Sequence, residues 1–184
     1  MARIFIVWSS TEGQTRRIVQ TIEHEIKKAG HQLETINADE PPRGWIFSKA
    51  DAVLVAASVH DGKYTDGIRR LLKQQSARLA GVPAAFASVS LSGADPAKQQ
   101  EAEGYIAALL EETGWNPALT VSLGGALRYP EYSFYKRWTM KRIAQKGGFP
   151  TDTSKVHEFT DWDRVRTLAA EMVELATAGT LQHA

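Results

Sequence analysis

The chain opens with a strand, a short polar loop and a helix in immediate succession. Apolar, β-forming residues run from Ile4 to Trp8, and hydroxyl residues with one glycine follow at once. Ile18, Val19 and Ile22 then fall on one face of a predicted helix. Such a unit brings free backbone N–H groups and the positive end of a helix dipole to one point, which suits it to binding a phosphate.

The loop between this strand and helix is neutral in character. It lacks the lysine of a Gly-x-x-x-x-Gly-Lys-Ser/Thr loop and the Gly-x-Gly-x-x-Gly pattern of a dinucleotide site. The alternative interpretation is a plain helix cap, with Ser10 or Thr11 capping the helix and Gln14 or Glu12 completing a capping box. Under the phosphate interpretation, four residues offer hydroxyl donors without adding charge: Ser9, Ser10, Thr11 and Thr15.

Strands alternate with helices along the rest of the chain. Strands are predicted at 3–8, 32–37, 51–58, 83–91 and 118–124. Helices are predicted at 14–29, 66–79, 98–113 and 161–178, with a short helical turn at 45–49. This order predicts one α/β domain over residues 1–184, with a five-stranded parallel sheet covered by helices on both faces. Right-handed crossovers then bring the loops after strands 1, 3, 4 and 5 to one carboxyl edge, where such sheets bind ligands.

The loops at this edge contain hydroxyls, small residues and aromatics. They carry no carboxylate cluster for magnesium, no convincing Ser-His-Asp order and no histidine spacing typical of a metal site. This mixture favours a flat heteroaromatic ring held by main-chain groups. His60 and Asp61 are either an acid/base pair or ordinary loop residues.

One segment, residues 127–155, is longer than an ordinary connection and breaks the alternation. Between residues 128 and 148 it holds six basic residues and only Glu131 as an acid, a charge of +5 in a chain whose net charge is +1. Aromatic residues lie among these charges. The segment is either a functional insertion or a surface helix with core-facing aromatics.

The composition limits the chemistry that the chain performs by itself. A length of 184 residues with 43% hydrophobic and 23% charged residues is typical of a globular domain. The absence of cysteine excludes disulfides, thiolate catalysis and cysteine-ligated metals, so redox chemistry requires a bound cofactor. No run is long enough to span a bilayer, and residues 1–20 lack the unbroken apolar segment of a signal peptide.

Several motifs carry a family resemblance. The segment 9–15, Ser-Ser-Thr-Glu-Gly-Gln-Thr, resembles the FMN phosphate loop of the flavodoxin superfamily. Segments 56–64, 83–91, 125–132 (Gly-Ala-Leu-Arg-Tyr-Pro-Glu-Tyr) and 160–162 (Thr-Asp-Trp) together resemble the menaquinone-dependent protoporphyrinogen IX dehydrogenases. This likeness extends over nearly the whole chain and implies a flavodoxin-like fold with an insertion between strand 5 and the last helix.

The resemblance also implies a cofactor, FMN, and the loops that bind it. The phosphate would be held by Ser9, Ser10, Thr11, Glu12, Gly13, Gln14 and Thr15. The ring would lie against Ala57, Ser58, Val59 and His60, against Ser88, Val89, Ser90 and Leu91, and against Gly125, Ala126, Leu127, Arg128 and Tyr129. No metal site and no particular catalytic residue are implied.

The implied activity is the oxidation of protoporphyrinogen IX in two-electron steps, with a respiratory quinone as acceptor. The protein would be cytoplasmic or peripheral on the inner membrane, with Arg137, Lys141 and Arg142 of segment 128–148 facing anionic lipid. Nucleic acid is not an expected partner, and a homo-oligomer is left open. The alternatives are an NAD(P)H:quinone reductase and an electron carrier without its own substrate, although the charge of +1 differs from the strong acidity typical of such carriers.

Overall fold

The computed structural model describes residues 1–47 and 49–182, with the side chains of the last helix described as far as residue 178. The strands are β1 Arg3–Ser9, β2 Gln32–Asn37, β3 Ala52–Ser58, β4 Ala84–Ser90, β5 Leu119–Gly124, β6 Ala126–Arg128 and β7 Val156–Glu158. The α-helices are α1 Gln14–Lys28, α2 Asp66–Leu79, α3 Gln99–Thr113, α4 Phe134–Gly147 and α5 Trp162–Gln182.

The first five strands form one parallel sheet in the order β2-β1-β3-β4-β5. Strand β3 lies at its centre and is buried from Ala52 to Ala57, as expected of a parallel strand with helices on both faces. The register places Ser9 beside Ala57 and Ser90 beside Gly124, so the polar ends of these strands meet at one edge. The predicted α/β fold with its five-stranded parallel sheet is therefore confirmed.

Two hydrophobic cores hold the helices against the sheet. On one face, α1 and α5 pack over side chains such as Ile4, Ile6 and Leu54, and on the other face α2 packs over Phe5, Val55 and Phe86. The side chains of α5 that face the sheet are Val165, Leu168, Ala169, Met172 and Ala176, all buried, with Val173 partly buried beside them. Successive side chains of a strand point to opposite faces of the sheet, so β1 and β3 each contribute side chains to both cores.

The insertion after β5 forms a structure of its own. Strands β6 and β7 pair antiparallel, with Ala126 opposite Glu158 and Arg128 opposite Val156, and α4 lies in the connection between them. Leu127, Tyr129 and other side chains build a third, smaller core under α4. Sequence reasoning did not predict this two-stranded sheet.

One predicted element is absent from the described residues. The short turn expected at 45–49 is not helical at Trp45, Ile46, Phe47 or Lys49, and Ser48 lies outside the described residues. Phe47 is instead buried and stacks edge-on against Phe5, with ring centroids 5.4 Å apart. Trp45 packs against the same core, whereas Ile46 is 54% exposed.

Candidate functional site

The loop after β1 leaves the start of α1 open. The helix begins at Gln14, its N-cap is Gly13 in the left-handed region at φ 85°, and no side chain caps it. Ser10 Oγ accepts a hydrogen bond from the Gly13 amide at 3.0 Å, which closes the loop without using the helix amides. The capping alternative is therefore not what the loop adopts. The first amides of a helix have no intrahelical acceptor, so those of α1 face the loop as donors for an anion.

Thr15 supports the same conclusion from its side chain. The residue is fully buried, and its Oγ1 has no hydrogen-bond partner among the residues that the structure describes. A buried hydroxyl without a partner costs about 1–3 kcal/mol. A phosphate oxygen at the start of α1 would supply the missing acceptor, so the loop fits the phosphate of FMN.

A cavity of about 420 Å³ opens at this edge of the sheet, within the usual range for ligand sites. Its inner part is formed by the loops after β1, β3, β4 and β5, as the order of elements predicted. The predicted site residues that line it are Ser10, Thr11, Glu12, Gln14, Thr15, Ser58, Val59, His60, Val89, Ser90, Leu91, Gly125 and Ala126. Their contact with a flavin stays a prediction.

Four predicted site residues next to these loops do not line the cavity. Ser9 is buried and donates to Asp39 Oδ2 at 2.8 Å, so its hydroxyl joins β1 to the end of β2. Ala57 belongs to the core on the α2 side of the sheet. Ser88 Oγ accepts a hydrogen bond of 2.7 Å from the Tyr64 hydroxyl. Burial raises the pKa of Tyr64, so the phenol stays protonated and remains the donor. Gly13 supplies the left-handed turn before α1, and its amide donates to Ser10.

Three more predicted site residues belong to the insertion's own structure. Leu127 and Tyr129 are fully buried in the third core, and the Tyr129 hydroxyl donates to the Pro150 carbonyl at 3.0 Å. Arg128 forms a two-pronged pair with Glu131, and this hydrogen bonding raises the pKa of the guanidinium. The cavity wall formed by this strand ends at Ala126, and contact of residues 127–129 with a flavin stays a prediction.

Glu12 connects the phosphate loop to the insertion. The Tyr132 hydroxyl donates to its carboxylate, and Lys136 Nζ lies 3.2 Å from Oε1. Burial, followed by the hydrogen bond to Glu12, raises the pKa of Tyr132, so the phenol remains protonated. The carboxylate is thus compensated by the insertion, which reduces its repulsion of a phosphate in the same loop.

His60 lies in the cavity between two acids. Its Nδ1 is 3.8 Å from Glu12 Oε1, and its Nε2 is 3.6 Å from Asp61 Oδ2. Both distances are longer than a hydrogen bond. The carboxylates of Glu12 and Asp61 both attract a protonated imidazole. The geometry brings His60 and Asp61 together at the cavity, and their acid/base role stays a prediction.

The outer part of the cavity was missed by sequence reasoning. It is formed by Ser92 and Lys98 between β4 and α3, by Glu101 and Tyr105 on α3, by the inner face of α4 with Met140, Ile143, Lys146 and Gly147, and by Phe149 beyond the end of α4. The sequence spacing of Met140, Ile143 and Gly147 indicates that they share one face of a helix. Only the fold shows that this face lies opposite segment 92–105.

The six basic residues of the insertion divide into two groups. Arg128 binds Glu131, Lys136 pairs with Glu12, and Arg137 donates to the carbonyls of Tyr129 and Tyr132 at 3.0 and 3.1 Å. Lys141, Arg142 and Lys146 remain exposed. The Arg137 guanidinium holds the start of α4, and its contact with lipid stays a prediction.

The Thr-Asp-Trp motif at 160–162 joins the elements around the site. Thr160 Oγ1 donates to the Gly124 carbonyl at 2.7 Å and accepts from Gln14 Nε2 at 2.9 Å. Asp161 Oδ1 accepts from the amides of Asp163 and Arg164, which caps α5. The motif therefore fixes the start of α1 relative to the end of β5.

Two further properties bear on the site. Within residues 1–47 and 49–182, no group of three or more histidine, cysteine or acidic side chains is placed to hold a metal ion. Over the same described ranges, no helix combines the length and apolar character that crossing a membrane requires.

This fold and loop geometry define a class of protein. A model of the flavodoxin domain matches residues 5–154, and the chain belongs to the flavodoxin family. Oxidised Flavodoxin 1 from Bacillus cereus superimposes with a TM-score of 0.59 at 18% identity, covering 94% of this chain and 98% of that one. The flavodoxin resemblance seen in the sequence is confirmed, and membership agrees with FMN as the predicted cofactor.

Two relatives narrow the likeness to one branch of the class. The chain is 33% identical over 183 residues to protoporphyrinogen IX dehydrogenase [quinone] of Escherichia coli (strain K12), covering 98% of this chain and 99% of the relative. A protein of the same name from Leishmania major is 27% identical over 177 residues, covering 96% of this chain and 77% of the relative. The likeness to the E. coli relative includes the insertion, since it extends over nearly all of both chains.

Proposed function

We propose that this protein is an FMN-dependent oxidoreductase that converts protoporphyrinogen IX to protoporphyrin IX and passes the electrons to a respiratory quinone. One observation carries the proposal: a relative of that activity is similar over 98% of the chain. The site supports it, because the phosphate loop and the insertion meet at one cavity. Each oxidation step removes two electrons and two protons from the porphyrinogen, and reduction of the quinone to the quinol takes up the same number.

The residues of the inner cavity would bind and orient the cofactor. Ser10, Thr11, Thr15 and the first amides of α1 would hold the phosphate, and the loops after β3, β4 and β5 would lie along the ring. When bound, FMN supplies the two-electron redox chemistry that the side chains lack. His60, between Glu12 and Asp61, is placed to hold a proton at the cavity.

An anaerobic assay tests this function. The FMN-loaded protein is mixed with protoporphyrinogen IX and a menaquinone analogue, and porphyrin fluorescence should rise faster than in a control without protein. Fluorescence no faster than this control would contradict the proposal. Rapid bleaching of the flavin by NADPH alone would identify a reductase instead.

The proposal includes docking on an anionic membrane surface through the outer face of α4. Phe134, Tyr135 and Trp138 are exposed by 88%, 76% and 51%, and Lys141 and Arg142 continue the same face at helical spacing. The Arg142 guanidinium lies 4.9 Å above the Trp138 ring. Aromatic and basic side chains together are typical of helices that lie in a lipid interface.

Vesicle sedimentation tests the docking. The double variant Lys141→Gln with Arg142→Gln should bind phosphatidylglycerol vesicles about 30-fold more weakly, since each basic residue near the surface contributes about 1 kcal/mol. The matched control is Arg70→Gln with Arg78→Gln, which removes the same charge from the exposed surface of α2. Equal binding of the two double variants at low salt would contradict the proposal.

A further inference from the structure

The cavity continues past the loops that would surround FMN. Its outer part lies between segment 92–105, which supplies Lys98, Glu101 and Tyr105, and the inner face of α4. On α4, Met140 is buried, Ile143 is 39% exposed at the mouth, and Lys146 follows about one turn after Ile143. The wall is thus apolar toward the inside and cationic at its rim.

The two lysines of this wall differ in their partners. Lys98 Nζ donates to the Gly147 carbonyl and lies 4.3 Å above the Phe149 ring, so it fastens the end of α4 to segment 92–105. Lys146 lines the cavity and forms no ion pair or hydrogen bond with any residue in the described part of the chain. Its ammonium is therefore available to a ligand.

The acid at the opposite wall limits how a charged ligand can lie. Glu101 accepts a hydrogen bond from Tyr105, which keeps its carboxylate on the α3 side of the cavity. A ligand with carboxylates would turn them away from Glu101 and toward Lys146, because like charges repel in a partly desolvated site. Its apolar body would then lie against Met140 and Ile143.

We propose that this outer compartment binds the carboxylate-bearing edge of a dicarboxylic tetrapyrrole, with Lys146 pairing with one propionate. This inference rests on the proposed function and specifies the substrate site within it. The substrate matches the wall, being a broad apolar ring system that bears two propionates on one side. Lys98 is a positioning residue here, since it acts through the end of α4.

The test compares two porphyrins that differ only in charge. Protoporphyrin IX and its dimethyl ester are titrated in mild detergent into the FMN-loaded protein, followed by porphyrin fluorescence. The wild type should bind the diacid about 5-fold more tightly than the ester, the factor that corresponds to a partly exposed ion pair of about 1 kcal/mol. Lys146→Gln should abolish this preference while leaving the affinity for the ester unchanged, and Lys146→Arg should restore it.

The matched control is Lys28→Gln, which removes one exposed lysine from the end of α1, far from the cavity. It should keep both the FMN content and the preference for the diacid. A wild type without preference, or a Lys146→Gln variant that retains it while porphyrinogen is oxidised, would overturn this inference alone. If the FMN-loaded wild type neither binds porphyrin nor oxidises porphyrinogen, the proposed function fails with it.

Discussion

The buried Thr15 hydroxyl should affect FMN affinity and the free energy of unfolding differently. Its Oγ1 has no partner in the described structure, so Thr15→Val should raise the free energy of unfolding of the FMN-free protein by about 1–3 kcal/mol, because the unsatisfied buried hydroxyl is removed. FMN affinity should fall roughly 10- to 100-fold, because a hydrogen bond to a charged acceptor contributes about 1.5–3 kcal/mol. Flavin fluorescence titration and urea unfolding measure the two quantities.

The control for this variant is Thr21→Val, on the same helix. The Thr21 hydroxyl is bonded to the Arg17 carbonyl and does not line the cavity, so FMN affinity should be unchanged. Equal FMN affinity in Thr15→Val and the wild type would mean that the hydroxyl does not meet the phosphate.

Tyr132 should matter to stability because its hydroxyl serves two partners. It donates to Glu12 and accepts from the Arg128 amide at 3.0 Å. Tyr132→Phe should lower the free energy of unfolding by about 1–3 kcal/mol, since buried polar groups lose their partner. Urea unfolding measures this, and Tyr135→Phe, at a side chain exposed by 76%, is the control that should leave stability unchanged. A Tyr132→Phe protein as stable as the control would contradict the prediction.

At the scale of single residues, the sequence located the phosphate loop but not the wall opposite it. Thr15 and Ser10 could be predicted because they lie within a contiguous strand–loop–helix unit. Lys98 and Lys146 could not, because they are 48 positions apart in the sequence and meet only when α4 folds back over segment 92–98. The third core around Leu127 and Tyr129 could not be predicted, because nothing local in the sequence indicates that the insertion has a core of its own.

At the scale of elements, α2 and α3 are joined by a small ionic network. Glu112 of α3 lies 2.6 Å from Arg69 Nη2 and 2.8 Å from Lys73 Nζ, both on α2. Hydrogen bonds from Arg69 and then Lys73 lower the pKa of Glu112 to about 2. Such a carboxylate stabilises the fold fully above its unfolded pKa, about 4.3, and this contribution is lost as the pH falls toward the folded value.

Glu112→Gln should therefore reduce the loss of stability on acidification. The variant should lose less of its urea midpoint than the wild type between about pH 5 and about pH 3, because the titrating carboxylate is gone. Glu111→Gln, at the exposed neighbouring position, should behave as the wild type. An acid sensitivity of Glu112→Gln that matches the wild type would show that the network is unimportant.

The elements that the sequence predicted well are those with long repeating patterns. The five sheet strands and the helices α1, α2, α3 and α5 were all predicted, since each runs long enough to show its period. Strands β6 and β7 are three residues each, too short for any period to be visible. The segment at 45–49 carries large apolar side chains whose packing partner, Phe5, is remote in sequence.

At the scale of the whole molecule, the cavity is assembled from the ends of several strands that unfolding would separate. A ligand there binds the folded state alone and should raise the free energy of unfolding by about 2.7 kcal/mol at a concentration 100 times its Kd. FMN should therefore raise the melting temperature. Riboflavin, which lacks the phosphate, should raise it much less at the same concentration, and equal shifts would show that the loop after β1 makes no phosphate contact.

The pairing of β6 with β7 has an architectural consequence. Arg128 and Val156 are opposite each other in this ribbon, so the chain leaves and re-enters the domain at neighbouring points. A two-residue Asn-Gly hairpin turn could close the gap in place of residues 129–155, with loss of the contacts that Tyr132 and Lys136 make with Glu12. In the shortened protein the cavity would lose the wall that α4 supplies and keep the wall that segment 92–105 supplies, so the insertion alone decides whether the outer part of the cavity is closed on both sides.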